Sequence, residues 1–148
     1  MKKIFIAFIS LFCVVSSINA QVKRISKTEL PQGTIEFIDI FYKQNQIVCW
    51  KEGRYLEIEY EINLDNGTSL EFDRRGYLKS IDCGIGEYIP LEILPKELVE
   101  FLTIKFDKDN KKIVEYSIEN RGTRYEQHEI EFENGFEFTI SGRLSNKY

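Results

Sequence analysis

The sequence predicts an α+β fold made of a unit used twice: one helix, then a four-stranded antiparallel meander. Three observations carry this. The chain repeats itself at an offset that drifts between 64 and 68 residues. Each copy opens on a Leu-Pro pair that leads a helical apolar stripe. Each copy then passes through short alternating segments separated by glycine turns. LPQGTIEFIDIFY from Leu30 answers LPKELVEFLTIKF from Leu94, and IVCW from Ile47 answers IVEY from Ile113. YEINLDNGTSLEF from Tyr60 answers HEIEFENGFEF from His128, and Gly76 answers Gly142.

The first twenty residues stand apart from this pattern. MKK is a short basic start, IFIAFISLFCVVSS is an apolar run, and INA offers the small residue Ala20 before Gln21. This is the form of a secretory signal peptide cleaved after Ala20. The run falls short of the ~20 apolar residues that a spanning helix needs, and no other segment is candidate for a span. Cys13 sits inside that run behind the bulky Phe12, which argues against a lipid anchor there. Export places the protein in the periplasm or cell envelope. Residues 21–89 then form the first repeat and 90–148 the second, as one joint domain.

Each repeat begins with a helix. Pro31 and Pro95 are suited to a first turn, where the missing N–H costs no intrahelical bond. The first helix is expected to run to about Gln44, burying Ile35, Ile38, Phe41 and Tyr42. Gly33 and Thr34 weaken it, so it must lean on packing. The second carries Leu98, Phe101, Leu102 and Phe106 on one face.

Strands are expected at about 46–51, 55–64, 68–73 and 77–82, then 112–119, 124–133, 136–140 and 143–147. Their short connections make antiparallel hairpins. A unit of ~60 residues buries too little surface to stand alone, so the halves should share one sheet or core. Leu56, Ile58, Tyr60, Ile62 and Leu64 alternate with Glu57, Glu59, Glu61 and Asn63, giving one apolar and one acidic face. The helix covers the apolar face.

Parity also sets the hairpin loops. Leu70 and Phe72 must share the face of Ile62 and Tyr60. A three-residue loop, Asp65-Asn66-Gly67, achieves this with Gly67 left-handed, and Glu133-Asn134-Gly135 does the same for Phe132 and Phe136. Glu61 then faces Glu71, Glu59 faces Asp73, and Glu131 faces Glu137. Facing like charges cost roughly 0.2–1 kcal/mol each.

Glu57, Glu59, Glu61, Glu71 and Asp73 are therefore the candidate binding residues. Their plain reading is the solvated side of a half-buried sheet. The functional reading is a surface for a basic protein partner, or for a hard cation such as calcium, which takes several oxygens. No cofactor and no other metal is expected. An open sheet gives paired carboxylates no cleft in which to separate their pKa values, so no hydrolase chemistry is expected either.

The remaining candidates are weaker. His128 is the single histidine and falls on the core-facing parity, so it reads as a packed core histidine with no triad or zinc pair to join. Asp107, Asp109 and Asn110 imitate a calcium loop, but Lys112 and Ile118 occupy the positions where Gly and Glu are required. Alignment with Glu115 points Cys49 outward, and Trp50 inward beside Tyr116. Cys49 and Cys83 would lie three strands apart, near ~14 Å, whereas a disulfide needs Cα atoms within roughly 7 Å. Losing Lys2 and Lys3 takes 20 basic residues to 18 against 24 acidic ones, and the net charge from −4 to −6. Without Lys and Arg clusters, a nucleic-acid partner is not expected.

Leu30-Pro31 with Glu36-Phe37, the strand into Asp65-Asn66-Gly67, Leu70 to Asp73 and Gly76 resemble the PepSY-like, beta-lactamase-inhibitor-like periplasmic proteins of Bacteroidetes. Leu94-Pro95, Glu100-Phe101, Asn134-Gly135, Glu137-Phe138 and Gly142 resemble the second copy. The resemblance covers nearly all of residues 26–148. It implies tandem helix-plus-four-strand units forming one curved antiparallel sheet with the helices on one face. It implies no catalytic residues. It leaves three roles open: a protein-binding envelope module, an inhibitor of a periplasmic protease or hydrolase, and a calcium-binding or structural module. The intact mass of the protein recovered from its host's envelope is expected to begin at Gln21. A mass that includes residues 1–20 would contradict the leader reading.

Overall fold

The computed structural model describes residues 22–53, 58–106 and 112–144. Eight strands form one antiparallel sheet in chain order: β1 Lys23–Ile25, β2 Ile47–Glu52, β3 Glu59–Leu64, β4 Ser69–Asp73, β5 Leu78–Asp82, β6 Ile113–Glu119, β7 Gln127–Phe132 and β8 Glu137–Ser141. Helix α1 is Gln32–Phe41 and helix α2 is Lys96–Lys105. The architecture is the expected α+β sheet. Strands β5 and β6 join the two halves through Ile81 opposite Tyr116 and Asp82 opposite Glu115.

One inward row crosses every strand. Ile25 faces Cys49, Cys49 faces Ile62, and Ile62 faces Leu70. Leu70 faces Ile81, which faces Tyr116, then Ile130 and Phe138 in turn. Both helices pack on this side. Phe37 of α1 meets the Phe72 ring edge-on at 5.3 Å. Phe101 of α2 stacks on Phe138 at 5.2 Å, and Phe106, just past the helix, meets Phe132 at 5.2 Å. Such aromatic pairs contribute ~0.5–1.5 kcal/mol each beyond the area they bury.

Each helix follows a 3-10 turn and a Leu-Pro pair, with Pro31 and Pro95 at the N-caps. The first helix is shorter than expected, since Tyr42 leaves helical geometry at φ −132°. Its buried centre is Thr34, Phe37 and Ile38, with Ile35 and Phe41 partly buried beside it. The expected stripe is present, with Tyr42 also buried, and Thr34 and Phe37 widen it, Phe37 taking the central place.

The hairpin loops behave as parity required. Leu64 closes on Thr68 around Asp65-Asn66-Gly67, and Phe132 closes on Phe136 around Glu133-Asn134-Gly135. A third loop of this kind, Arg74-Arg75-Gly76, sits between Asp73 and Tyr77. The three glycines are left-handed, at φ 86°, 87° and 76° for Gly67, Gly76 and Gly135.

Three expectations need correction. The strand expected at 143–147 is absent through Leu144, and residues 145–148 lie outside the described residues. The eighth strand is instead β1, whose three residues carried no strand signal of their own. Cys49 points inward and Trp50 outward, the reverse of the alignment with Glu115 and Tyr116. The reason is a bulge: β6 shifts register between Ile113 and Glu115, so Ile113 and Tyr116 both face the core. Strand β2 has no such extra residue and keeps strict alternation.

Gly84 carries the chain out of β5 across the Asn66–Gly67 turn. A Cβ there would stand 2.1 Å from the Asn66 carbonyl oxygen, a backbone atom that has no rotamer to escape into. Gly84→Ala is expected to cost about 1–3 kcal/mol or more. Gly33 in α1 would meet only ordinary contact at 3.5 Å, so Gly33→Ala should stabilise by about 0.5–1 kcal/mol. Urea melts of the two variants check both signs.

Candidate functional site

The helices cover one face of the sheet, and the other presents its outward side chains to solvent. One outward row reads Arg24, Trp50, Glu61, Glu71, Ser80, Ser117, Glu129 and Thr139 across the eight strands. Glu61 faces Glu71 and Glu59 faces Asp73, as the loop parity required. Glu57 lies outside the described residues.

These carboxylates have different local roles. Glu59 is salt-bridged to Lys79 at 2.5 Å. Lys79 reaches it because β5 bulges there, between the pairs Glu71–Ser80 and Phe72–Leu78. Asp73 turns its Oδ1 onto the backbone N–H groups of Arg75 and Tyr77, at 2.8 and 3.0 Å, and so shapes the loop. Glu61 accepts from the Asn63 amide at 2.9 Å. Glu61 and Glu71 remain as the pair directed across the open face. Trp50 stands next to Glu61 in the same row, half-buried, as an aromatic platform that strict alternation in β2 puts outside.

A denser acidic row lies beside this one. Asp82, Glu115, Glu131 and Glu137 face one another in sequence across β5, β6, β7 and β8. Glu115, Glu131 and Glu137, with Ser117, Glu129 and Thr139, line a shallow depression of about 220 Å³. Partial burial pushes the Glu115 carboxyl up, and Asp82 and Glu131 push it further. Two like charges beside a carboxyl disfavour its ionised form. The sequence revealed the Glu131–Glu137 pair. Asp82 and Glu115 were missed because their place depends on how the halves join at β5–β6. Among the described residues, no group of three carboxylate, histidine or cysteine side chains is arranged to hold a metal ion.

His128 lies in the core, as its parity indicated, with no solvent exposure. The Tyr116 hydroxyl meets its Nδ1 at 2.9 Å, and its Nε2 meets Glu126 Oε1 at 3.0 Å. Glu126 also accepts from the Gly122 and Leu144 N–H groups. Burial would raise its carboxyl, but these donors hold it below the usual range. Burial keeps His128 neutral by depressing its pKa, against the opposing pull of Glu126. The Tyr116–His128–Glu126 chain resembles a catalytic relay in composition only. It is sealed from substrate, and it ties β6 and β7 to the loop between them. Cys49 and Cys83 are both free thiols, and burial raises Cys83 to about 11.

The buried histidine gives a pH dependence of definite sign. Its folded pKa lies below its unfolded value of about 6.5, so the unfolded chain takes up a proton first as pH falls. Stability is full above that value and is lost as pH drops below it. Glu126, also depressed on folding, adds loss at still lower pH. Melting temperatures are expected to fall from pH 7 to pH 5, and the His128→Gln variant should melt lower with a flatter slope. A wild-type slope equal to the variant's would contradict the neutral buried imidazole.

Comparison with known proteins agrees with this geometry. A family model described as "Putative beta-lactamase-inhibitor-like, PepSY-like" matches residues 16–80 and again 58–145. Among solved structures, a putative calcium-regulated periplasmic protein from Bacteroides thetaiotaomicron is 24% identical, with a TM-score of 0.69 over 81% of this chain and 89% of its own. A putative periplasmic protein from Bacteroides vulgatus is 20% identical, with a TM-score of 0.72 over 86% and 95%. A second from the same species, of unknown function, is 22% identical, with a TM-score of 0.66 over 86% and 98%. No curated protein matches significantly. No helix among the described residues is long and apolar enough to cross a membrane. Two matches to one family model, spanning most of a chain that folds into one eight-stranded sheet, place the protein in the PepSY-like, beta-lactamase-inhibitor-like family.

Proposed function

We propose that the protein is a non-enzymatic module of the cell envelope that binds a basic surface of another protein through the open face of its sheet. The supporting observation is the stacking of like charges on that face. Glu61 opposes Glu71, and Asp82, Glu115, Glu131 and Glu137 run consecutively, each contact unfavourable for folding. A surface needing only solvation would interleave lysines, as β5 does with Lys79 against Glu59. A partner bearing Lys and Arg would relieve the repulsion and gain charge-assisted hydrogen bonds. Trp50, beside Glu61, supplies the aromatic anchor such interfaces favour. The apolar leader and the periplasmic relatives support envelope residence.

A second reading takes calcium in place of the basic protein. The relative described as calcium-regulated favours it; the facing carboxylates of the row at Glu115 would have to draw together on the ion, since as they stand no three of them form a ligand set. A native-state ligand raises the melting temperature, so a calcium-dependent rise that is lost in Glu115→Gln would select this reading.

Affinity capture from the host's envelope, with wild-type bait beside a Glu61→Lys, Glu71→Lys bait, tests the first. A partner retained by the wild type and lost by the variant is expected. Equal capture by both would return the acidic row to a solvated face.

A further inference from the structure

The opposite end of the charge map carries a second surface. Among the described residues, every arginine except Arg24 lies at one end of the sheet: Arg74 and Arg75 between β4 and β5, Arg121 and Arg124 between β6 and β7, and Arg143 after β8. In a chain of net acidic charge this is a segregated basic end. It holds a groove of about 530 Å³.

The groove is built from fixed parts. Arg121 Nη2 donates to the Leu78 carbonyl at 2.5 Å, and its guanidinium lies 5.4 Å from the centre of the Tyr77 ring. Together they form one wall. The loop bearing Arg74 and Arg75 is locked by Asp73, whose Oδ1 accepts from two of its N–H groups. The two acids lining the groove are both engaged, Asp73 by backbone and Glu59 by Lys79. Arg74 and Arg75 are exposed at the rim on a rigid turn, beside a half-exposed tyrosine ring.

We propose that this groove binds an acidic peptide segment, with side-chain carboxylates on Arg74 and Arg75 and the peptide laid along Tyr77. Adjacent guanidiniums suit paired carboxylates, because each planar fork takes one bidentately. A locked loop lowers the ordering cost of that contact. The volume exceeds what a single ion fills. Glu59 and Asp73 inside the groove oppose a dianionic phosphate more than a singly charged carboxylate, and they break the uniformly basic surface that an anionic membrane would select. The site lies at the sheet's end, apart from Glu61 and Glu71, and does not depend on the acidic-face reading.

Calorimetric titration of the purified chain with a hexaglutamate peptide, inorganic phosphate and phosphatidylglycerol vesicles tests this. The peptide is expected to bind, and phosphate and vesicles to bind at least about tenfold more weakly. An Arg74→Gln, Arg75→Gln variant should lose about tenfold or more in peptide affinity. The charge-retaining Arg74→Lys, Arg75→Lys variant should fall between, and its melting curve guards against loss of fold. Glu61→Gln, Glu71→Gln should leave peptide affinity within about twofold, which separates this site from the acidic face. No peptide binding, equal binding by the Gln variant, or phosphate or vesicles bound as tightly as the peptide would each overturn the proposal.

Discussion

The structure depends on one unbroken register. The inward row from Ile25 to Phe138 crosses all eight strands without a polar interruption, and the helices seal it with Phe37 and Phe101. A slip of one residue in any strand would exchange that strand's faces. Three loops of the same size, ending in Gly67, Gly76 and Gly135, prevent the slip at three of the hairpins. Where the strand itself must adjust, a bulge absorbs the extra residue, at Lys79 in β5 and near Val114 in β6.

The surface chemistry follows from the same register. Because inward positions are fixed as apolar, the residues between them form continuous outward rows, and acidic choices along the sequence become neighbours in space. The hairpin order also sends alternate loops to opposite ends. Loops at one end gather arginines, while Asp65, Glu87 and Glu133 lie in the loops at the other. An acidic face and a basic end on one sheet give the molecule two surfaces of opposite sign.

Much of this could be read from the residues. The repeated Leu-Pro pairs marked both helix starts, and parity alone gave the three-residue loops and the Glu61–Glu71, Glu59–Asp73 and Glu131–Glu137 pairings. The failures have physical causes. The bulge near Val114 broke the correspondence between Trp50 and Tyr116, since the extra residue is as apolar as the Ile113 beside it and leaves no mark in the run. Strand β1 gains its hydrogen bonds only from β2, so Lys23–Ile25 shows no strand character of its own. The Asp82–Glu115 contact needs β5 to meet β6 across a 30-residue connection, a long-range pairing that local periodicity does not encode.

The central claim is that the outward carboxylates oppose one another more than folding requires. The direct measurement is the melting temperature of a Glu71→Gln, Glu131→Gln variant at low and high salt. Removing three facing like-charge contacts, Glu61–Glu71, Glu115–Glu131 and Glu131–Glu137, should raise it by a few degrees at low salt, and the gain should shrink at high salt as screening weakens the repulsion. An unchanged or lowered melting temperature at low salt would contradict the claim and show that these carboxylates serve the fold.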